Sequence, residues 1–150
     1  MDSKKIESLA VDWLKELKQN YLKEDYTWVG IYWMENFINP KAASSTDLVL
    51  GPYIGFETPH TRISLQKGLC GRAIRENQTL NIEDVSLSPE YLSCSLETQS
   101  EIVIPLRLRD GTPFGELDVD ARKKSAFPKE LEKILEAECE KISKLIQKSL

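Results

Sequence analysis

The sequence of 150 residues has a single histidine, His60, and three cysteines, Cys70, Cys94 and Cys139. One imidazole excludes a histidine-rich metal centre, and no Cys-His set stands at the spacings that usually hold zinc. An odd number of cysteines, behind a charged N-terminal stretch without the pattern of an export signal, points to a reducing compartment, and the protein is expected to be cytoplasmic. Long apolar runs are also missing. Val29 to Met34, broken by Gly30, falls far short of the ~20 residues of a membrane helix, so no membrane is expected as a partner. Basic residues do not predominate: 20 Lys and Arg against 24 Asp and Glu leave a net charge of −4. That balance disfavours nucleic acid, which is bound through clustered cations, and favours a small ligand or a protein. There is no Gly-x-x-x-x-Gly-Lys, no Gly-x-Gly-x-x-Gly and no Gly-x-Ser-x-Gly, hence no phosphate-cradling loop or nucleophile elbow of those kinds. Repeats and low-complexity tracts are absent too.

With 41% hydrophobic and 29% charged residues, the sequence has the balance of one soluble domain spanning 1–150. A domain of this size buries roughly two thirds of its unfolded surface and needs neither metal nor disulfide to fold. Ile6, Leu9, Ala10, Trp13, Leu14, Leu17 and Tyr21 recur at helical spacing and predict an amphipathic helix within 1–24. Pro128 suits a first helical turn. After it Leu131, Ile134, Leu135, Cys139, Ile142, Leu145 and Ile146 form a second apolar stripe, predicting a helix over 128–148.

Between them, over 26–120, the period changes to two. Thr27–Met34, Glu101–Arg109 and Pro113–Asp120 read as strands, Leu48–Leu50, Tyr53–Phe56 and Leu80–Ile82 as weaker ones, and Gly68–Glu76 as a short helix. Asn39–Thr46 reads as a long hairpin loop. Asp110-Gly111 predicts a tight turn of positive φ that pairs the last two strands antiparallel. The expected fold class is α+β, a mostly antiparallel sheet with the terminal helices covering one face.

Because successive strand residues point to opposite faces, the strands can be sorted by parity. Val29, Ile31, Trp33, Ile102, Ile104, Leu106, Leu108, Leu117 and Val119 make one dry face for the helices. Trp28, Gly30, Tyr32, Glu101, Val103, Glu116, Asp118 and Asp120 fall on the other. Aspartates at i and i+2 in a strand repel one another unless a cation or donor is shared between them. Asp118 and Asp120 therefore mark either a solvated strand end or the floor of a pocket for a cationic or donor ligand, walled by Trp28 and Tyr32.

Cys139, on the helical stripe, reads as a small buried hydrophobe. Cys94, in the polar loop between Ser86 and Ser100, is a candidate nucleophile or an incidental loop cysteine. Cys70 stands at the start of the short helix. There the helix N-terminus and Arg72 would favour its thiolate, unless it is simply a small residue packed between glycines.

Trp28-Val-Gly-Ile-Tyr32, Leu50-Gly-Pro-Tyr53, Lys67-Gly-Leu-Cys-Gly71, Cys94 with Ser100-Glu-Ile-Val-Ile-Pro105, and Gly115-Glu-Leu-Asp-Val-Asp120 occur in the order found in the GAF domain family. Within it the sequence resembles the free methionine-(R)-sulfoxide reductase branch. The loop cysteine six residues before Ser100, together with Gly-x-Cys-Gly, is the more specific part of the likeness. The resemblance implies a GAF-like, PAS-related fold with the pocket on the sheet face opposite the terminal helices. It implies an oxidoreductase that reduces free L-methionine-(R)-S-oxide, with no bound cofactor or metal and with an external reductant such as thioredoxin or a small thiol. Relatives often associate through their terminal helices, so a homodimer is a further expectation.

Carried over by position, the resemblance implies that Cys94 attacks the sulfoxide sulfur and passes through a sulfenic acid and a disulfide. Glu101, Asp118 and Asp120 then bind the substrate amine or protonate the leaving oxygen, while Trp28 and Tyr32 contain the methyl end. Two positions depart from the pattern. His60 stands where the family has a third, resolving cysteine, which leaves Cys70 or an external thiol to resolve the sulfenic acid. Glu116 follows Gly115 where valine is usual, adding an acid to the ligand face. The alternative is a noncatalytic GAF sensor that has kept the pocket without turnover.

Overall fold

Asp2 caps the first helix, α1 (Ser3–Asn20), its carboxylate accepting from the Lys5 amide at 3.1 Å. The computed structural model describes residues 1–91 and 96–150. Ile6, Ala10, Trp13, Leu14 and Leu17 turn inward from α1, as its spacing predicts. Strand β1 (Tyr26–Met34) leads into one turn of helix, α2 (Glu35–Ile38), and a 3-10 turn over Pro40–Ala42 before β2 (Asp47–Gly55) returns beside it. The expected loop over 39–46 thus carries one 3-10 turn of its own, and a single turn of α-helix precedes it. The weak strand segments 48–50 and 53–56 are one strand, with an irregular register between Gly30 and Tyr32 of β1.

Strand β3 (Arg62–Ser64) has no counterpart in the sequence reading, because its one apolar residue, Ile63, stands between polar ones. Then come α3 (Gly68–Glu76), β4 (Leu80–Ile82), β5 (Ser100–Arg107), β6 (Pro113–Ala121) and α4 (Lys129–Gln147). Asn77 ends α3 in the left-handed region at φ 52°, its amide bonded back to the last turn.

The six strands run in the order β3-β2-β1-β6-β5-β4, and every neighbouring pair is antiparallel. The β5–β6 turn differs from the one expected. Of Asp110 and Gly111 only Gly111 has a positive φ, 89°. Its amide bonds to Leu108 O at 2.9 Å, and Leu108 N bonds to Thr112 O at 2.8 Å. The glycine thus follows an ordinary turn as a bulge residue, and the pairing shifts between Leu106 and Arg107.

The dry face is the one assigned by parity. Val29, Ile31, Trp33, Ile102, Ile104, Leu106, Leu117 and Val119 share one core with α1 and with Leu135, Cys139, Ile142 and Ile146 of α4. Leu108, past the end of β5, packs at the core's margin. Each fully buried Leu or Ile contributes about 1.5–3 kcal/mol, enough to hold two charged helices on the sheet. The stripe of α4 is narrower than its sequence implies: Ile134 and Leu145 are 39% and 42% exposed. No helix among the described residues is long and apolar enough to cross a membrane.

Candidate functional site

The register of the three central strands builds the floor of the site. Trp28 of β1, Asp120 of β6 and Glu101 of β5 are successive partners across the sheet. Gly30, Asp118 and Val103 form the next row, and Tyr32, Glu116 and Pro105 the one beyond. Cross-strand neighbours on one face stand about 4.5–5.5 Å apart at Cβ, so three rows suffice to crowd four carboxyls together. All four are buried: Glu101 is 6% exposed, Glu116 0%, Asp118 3% and Asp120 1%. The alternative of a solvated strand end is therefore excluded by burial.

Aromatic walls close one side. Trp28 stacks on Tyr53 at 5.5 Å between centroids, with Tyr32 at 6.2 Å and Phe56 at 6.5 Å. Its indole N–H donates to Phe56 O at 3.1 Å, and the Tyr32 hydroxyl donates to His60 O at 2.7 Å. Gly30 makes the arrangement possible. A Cβ there would stand 2.5 Å from the Trp28 ring and 2.7 Å from Tyr53 Cβ. Tyr53 and Phe56 were missed as wall residues in the sequence, although Tyr53 pairs with Gly30 and a parity count extended to β2 would have found it.

Helix α3 forms the roof. Gly71 lets it press on the preceding segment, since a Cβ would meet Leu65 O at 2.6 Å and Ser64 O at 2.9 Å. The adjacent Cys70 thiol then donates to Asp118 Oδ2 at 3.6 Å.

The electrostatics follow from the burial and crowding of these acids. Burial, joined by the Asp118 charge, pushes the Asp120 carboxyl well above the usual range, although Glu101 and Thr98 hydrogen-bond to it. Burial also raises Asp118, against hydrogen bonds from Glu101 and Cys70 and the nearby His60. It raises Glu116 strongly, against a hydrogen bond from the Cys70 thiol, with the Asp118 charge adding to the rise. Among the described residues Asp118 Oδ1 and Asp120 Oδ1 have no hydrogen-bond partner. Thr98, which donates to Asp120 Oδ2 at 3.5 Å, escaped the sequence reading because a loop threonine carries no periodic signal.

One expectation is reversed. The thiolate of Cys70 is not favoured: burial first, then the charges of Asp118, Glu116 and Glu101, push its thiol well above the usual value. Arg72 points away, paired with Glu76 at 2.8 Å and Glu90 at 3.2 Å. The helix N-terminus acts locally, whereas burial among acids acts at closer range and prevails. Cys139 is buried in the helix-side core as expected. Cys94 lies outside the described residues.

The described lining of the acidic cavity is Tyr32, His60, Ile63, Leu69, Cys70, Glu101 and Asp118, around a volume of about 20 Å³. That is room for one water or one ion. A larger cavity of about 600 Å³ lies across the sheet between β5 and α4 and contains none of these acids. The arrangement can donate protons from neutral carboxyls inside a dry, aromatic-walled site, and it can neutralise a cationic group placed among them.

The model of the GAF domain family matches residues 16–146. The chain is 34% identical over 128 residues to a free methionine-R-sulfoxide reductase of Saccharomyces cerevisiae, a match covering 85% of this chain and 65% of the yeast protein. It thus spans slightly under two thirds of that relative. Among solved structures, the type II free methionine-R-sulfoxide reductase of Thermoplasma acidophilum superposes with a TM-score of 0.85 at 35% identity, covering 97% of this chain and 95% of that one. The Neisseria meningitidis free methionine-R-sulfoxide reductase, solved with its substrate, superposes with a TM-score of 0.68 at 29% identity, covering 96% of this chain and 89% of that one. With the family match spanning most of its length and the sheet, helices and pocket arranged as described, the chain belongs to the GAF domain family.

Proposed function

We propose that this protein reduces free methionine-(R)-sulfoxide to methionine. The observation that carries the reading is the convergence of Glu101, Asp118 and Asp120 as buried carboxyls on one aromatic-walled floor. The likeness to the Thermoplasma and yeast reductases gives that floor its substrate class. A free amino acid carries an ammonium group, which the acids neutralise, and a thioether end, which fits against Trp28 and Tyr32. Binding enlarges the cavity, because an amino acid needs more room than 20 Å³.

In the proposed reaction Cys94 supplies the attacking sulfur. A sulfoxide oxygen leaves poorly until it is protonated, and burial, which raises Asp118 and more strongly Asp120, favours the protonated form that can supply the proton. The oxygen passes from substrate to cysteine: Cys94 thiol and sulfoxide become Cys94 sulfenic acid and methionine. A thiol then condenses with the sulfenic acid, releasing water and forming a disulfide, and a second thiol reduces that disulfide. Cys70 is ill suited to the first of these roles, since its buried thiol resists ionisation. The resolving thiol is accordingly external, a small thiol or a thioredoxin-like dithiol. Thiol-coupled turnover of the sulfoxide by Cys94→Ser and Cys139→Ser variants tests the assignment. Loss in the first and retention in the second is expected. An active Cys94→Ser variant contradicts it. Binding of methionine sulfoxide without turnover by the wild type favours the sensor reading.

A further inference from the structure

The cavity over β6 has a second chemistry that does not depend on sulfoxide reduction. Cys70 Sγ and one carboxylate oxygen each of Glu101 and Asp118 lie within 4.8 Å of one another, all three residues buried. Tetrahedral zinc holds sulfur at ~2.3 Å and oxygen at ~2.0 Å, which places those two ligands about 3.5 Å apart. The measured separation of Cys70 Sγ and Asp118 Oδ2 is 3.6 Å. The space they share has a volume of about 20 Å³, one ion or water across, and His60 lines it as well.

A second observation points to a ligand at the same place. Asp118, 3% exposed, lines that space, and its Oδ1 has no hydrogen-bond partner among the described residues. The lining contains no lysine or arginine among the described residues. Crowding buried acids and a thiol together is costly, and a dication placed among them offsets that cost.

We propose that Cys70, Glu101 and Asp118 form a three-ligand zinc site, its fourth position left to water. A thiolate beside carboxylates suits Zn²⁺ over Mg²⁺ or Ca²⁺, which prefer all-oxygen sites. Binding displaces the thiol proton, leaving a Cys70 sulfur–zinc bond and a free proton. Since Glu101 and Asp118 also serve the proposed amino-acid site, metal and amino acid exclude one another. The ligands come from 70, 101 and 118, which is why no motif spacing announces them.

The test is titration of the reduced full chain with Co²⁺, followed by displacement with Zn²⁺. The expected result is one cobalt per chain, a sulfur-to-cobalt charge-transfer band, tetrahedral d–d absorption, and loss of these features as zinc is added. Cys70→Ser should abolish the charge-transfer band while Cys94→Ser and Cys139→Ser keep it. Asp118→Asn, which leaves the thiol in place, should weaken binding at least on the order of 100-fold, since changes to outer partners alone cost up to that much. No stoichiometric cobalt binding overturns the proposal. So does a band that survives Cys70→Ser and disappears in Cys94→Ser, or unchanged affinity in Asp118→Asn. None of these readouts uses turnover, so the reductase reading stands or falls separately.

Discussion

The Cys70 thiol lies 3.6 Å from Asp118 Oδ2, fastening the roof helix to the central strand across 48 residues of sequence. The contact places the thiol inside the site but in a neutral form. It therefore makes Cys70 part of the wall of the pocket and a poor second nucleophile.

The first expected outcome follows from that chemistry. After one equivalent of sulfoxide, mass spectrometry should find a trappable sulfenic acid at Cys94 and no Cys70–Cys94 disulfide. The turnover rate should rise with the concentration of added thiol. A Cys70–Cys94 disulfide formed in high yield contradicts the account.

The acids on the floor should separate catalysis from stability. Asp120→Asn removes a proton donor while keeping shape, so kcat should fall on the order of 100-fold, the usual lower range for general acid catalysis. Thermal unfolding should show no loss of stability, because burial already favours the neutral form of the wild-type carboxyl. A kcat within a few-fold of wild type contradicts the role.

Much of this site was legible from strand parity alone. Trp28, Tyr32, Glu101, Glu116, Asp118 and Asp120 share a face because side chains alternate along β1, β5 and β6, and long strands carry that period plainly. Glycine–aromatic packing at Gly30 and Trp28 depends on cross-strand register, which one strand's sequence does not hold. The Cys70 environment was misjudged for a similar reason. Its local sequence gives the helix terminus and Arg72, whereas the acids that govern it arrive from β5 and β6. The Asp110-Gly111 turn was recognised as a turn, but its geometry was set by a bulge in the pairing.

Glu116 is fully buried and is met by the Cys70 thiol, a weak donor. Replacing it by methionine, similar in volume and with no carboxyl to desolvate, should stabilise the metal-free protein by about 1–3 kcal/mol at neutral pH. Urea unfolding of the two proteins measures it. A destabilised Glu116→Met variant means that Glu116 is better satisfied than its contacts imply.

Gly71→Ala should act in the opposite direction. Its methyl group would press on the carbonyls of Leu65 and Ser64, costing about 1–3 kcal/mol and lifting Cys70 from Asp118. Wild-type stability in this variant contradicts the packing described for α3.

Glu132 supplies a pH dependence of known sign. Buried at the start of α4, it accepts from Lys129 Nζ at 2.7 Å and from the Asn81 amide at 2.9 Å. Lys129 holds its carboxyl below the ordinary value of 4.5. A lowered folded value means that its contribution is present above pH 4.5 and is lost as pH falls through the lowered value. Glu132→Gln should therefore cost about 1 kcal/mol at neutral pH, with solvent screening limiting the effect, and the difference should close in acid. A gap that is constant from neutral to acid pH contradicts the pairing.

The most direct measurement of the central claim is steady-state reduction of the separated epimers of free methionine sulfoxide, with a dithiol as the only reductant. The account predicts methionine formed from the R epimer in catalytic amounts, the S epimer left intact, and no product with Cys94→Ser. No methionine from the R epimer, or equal consumption of both epimers, contradicts it.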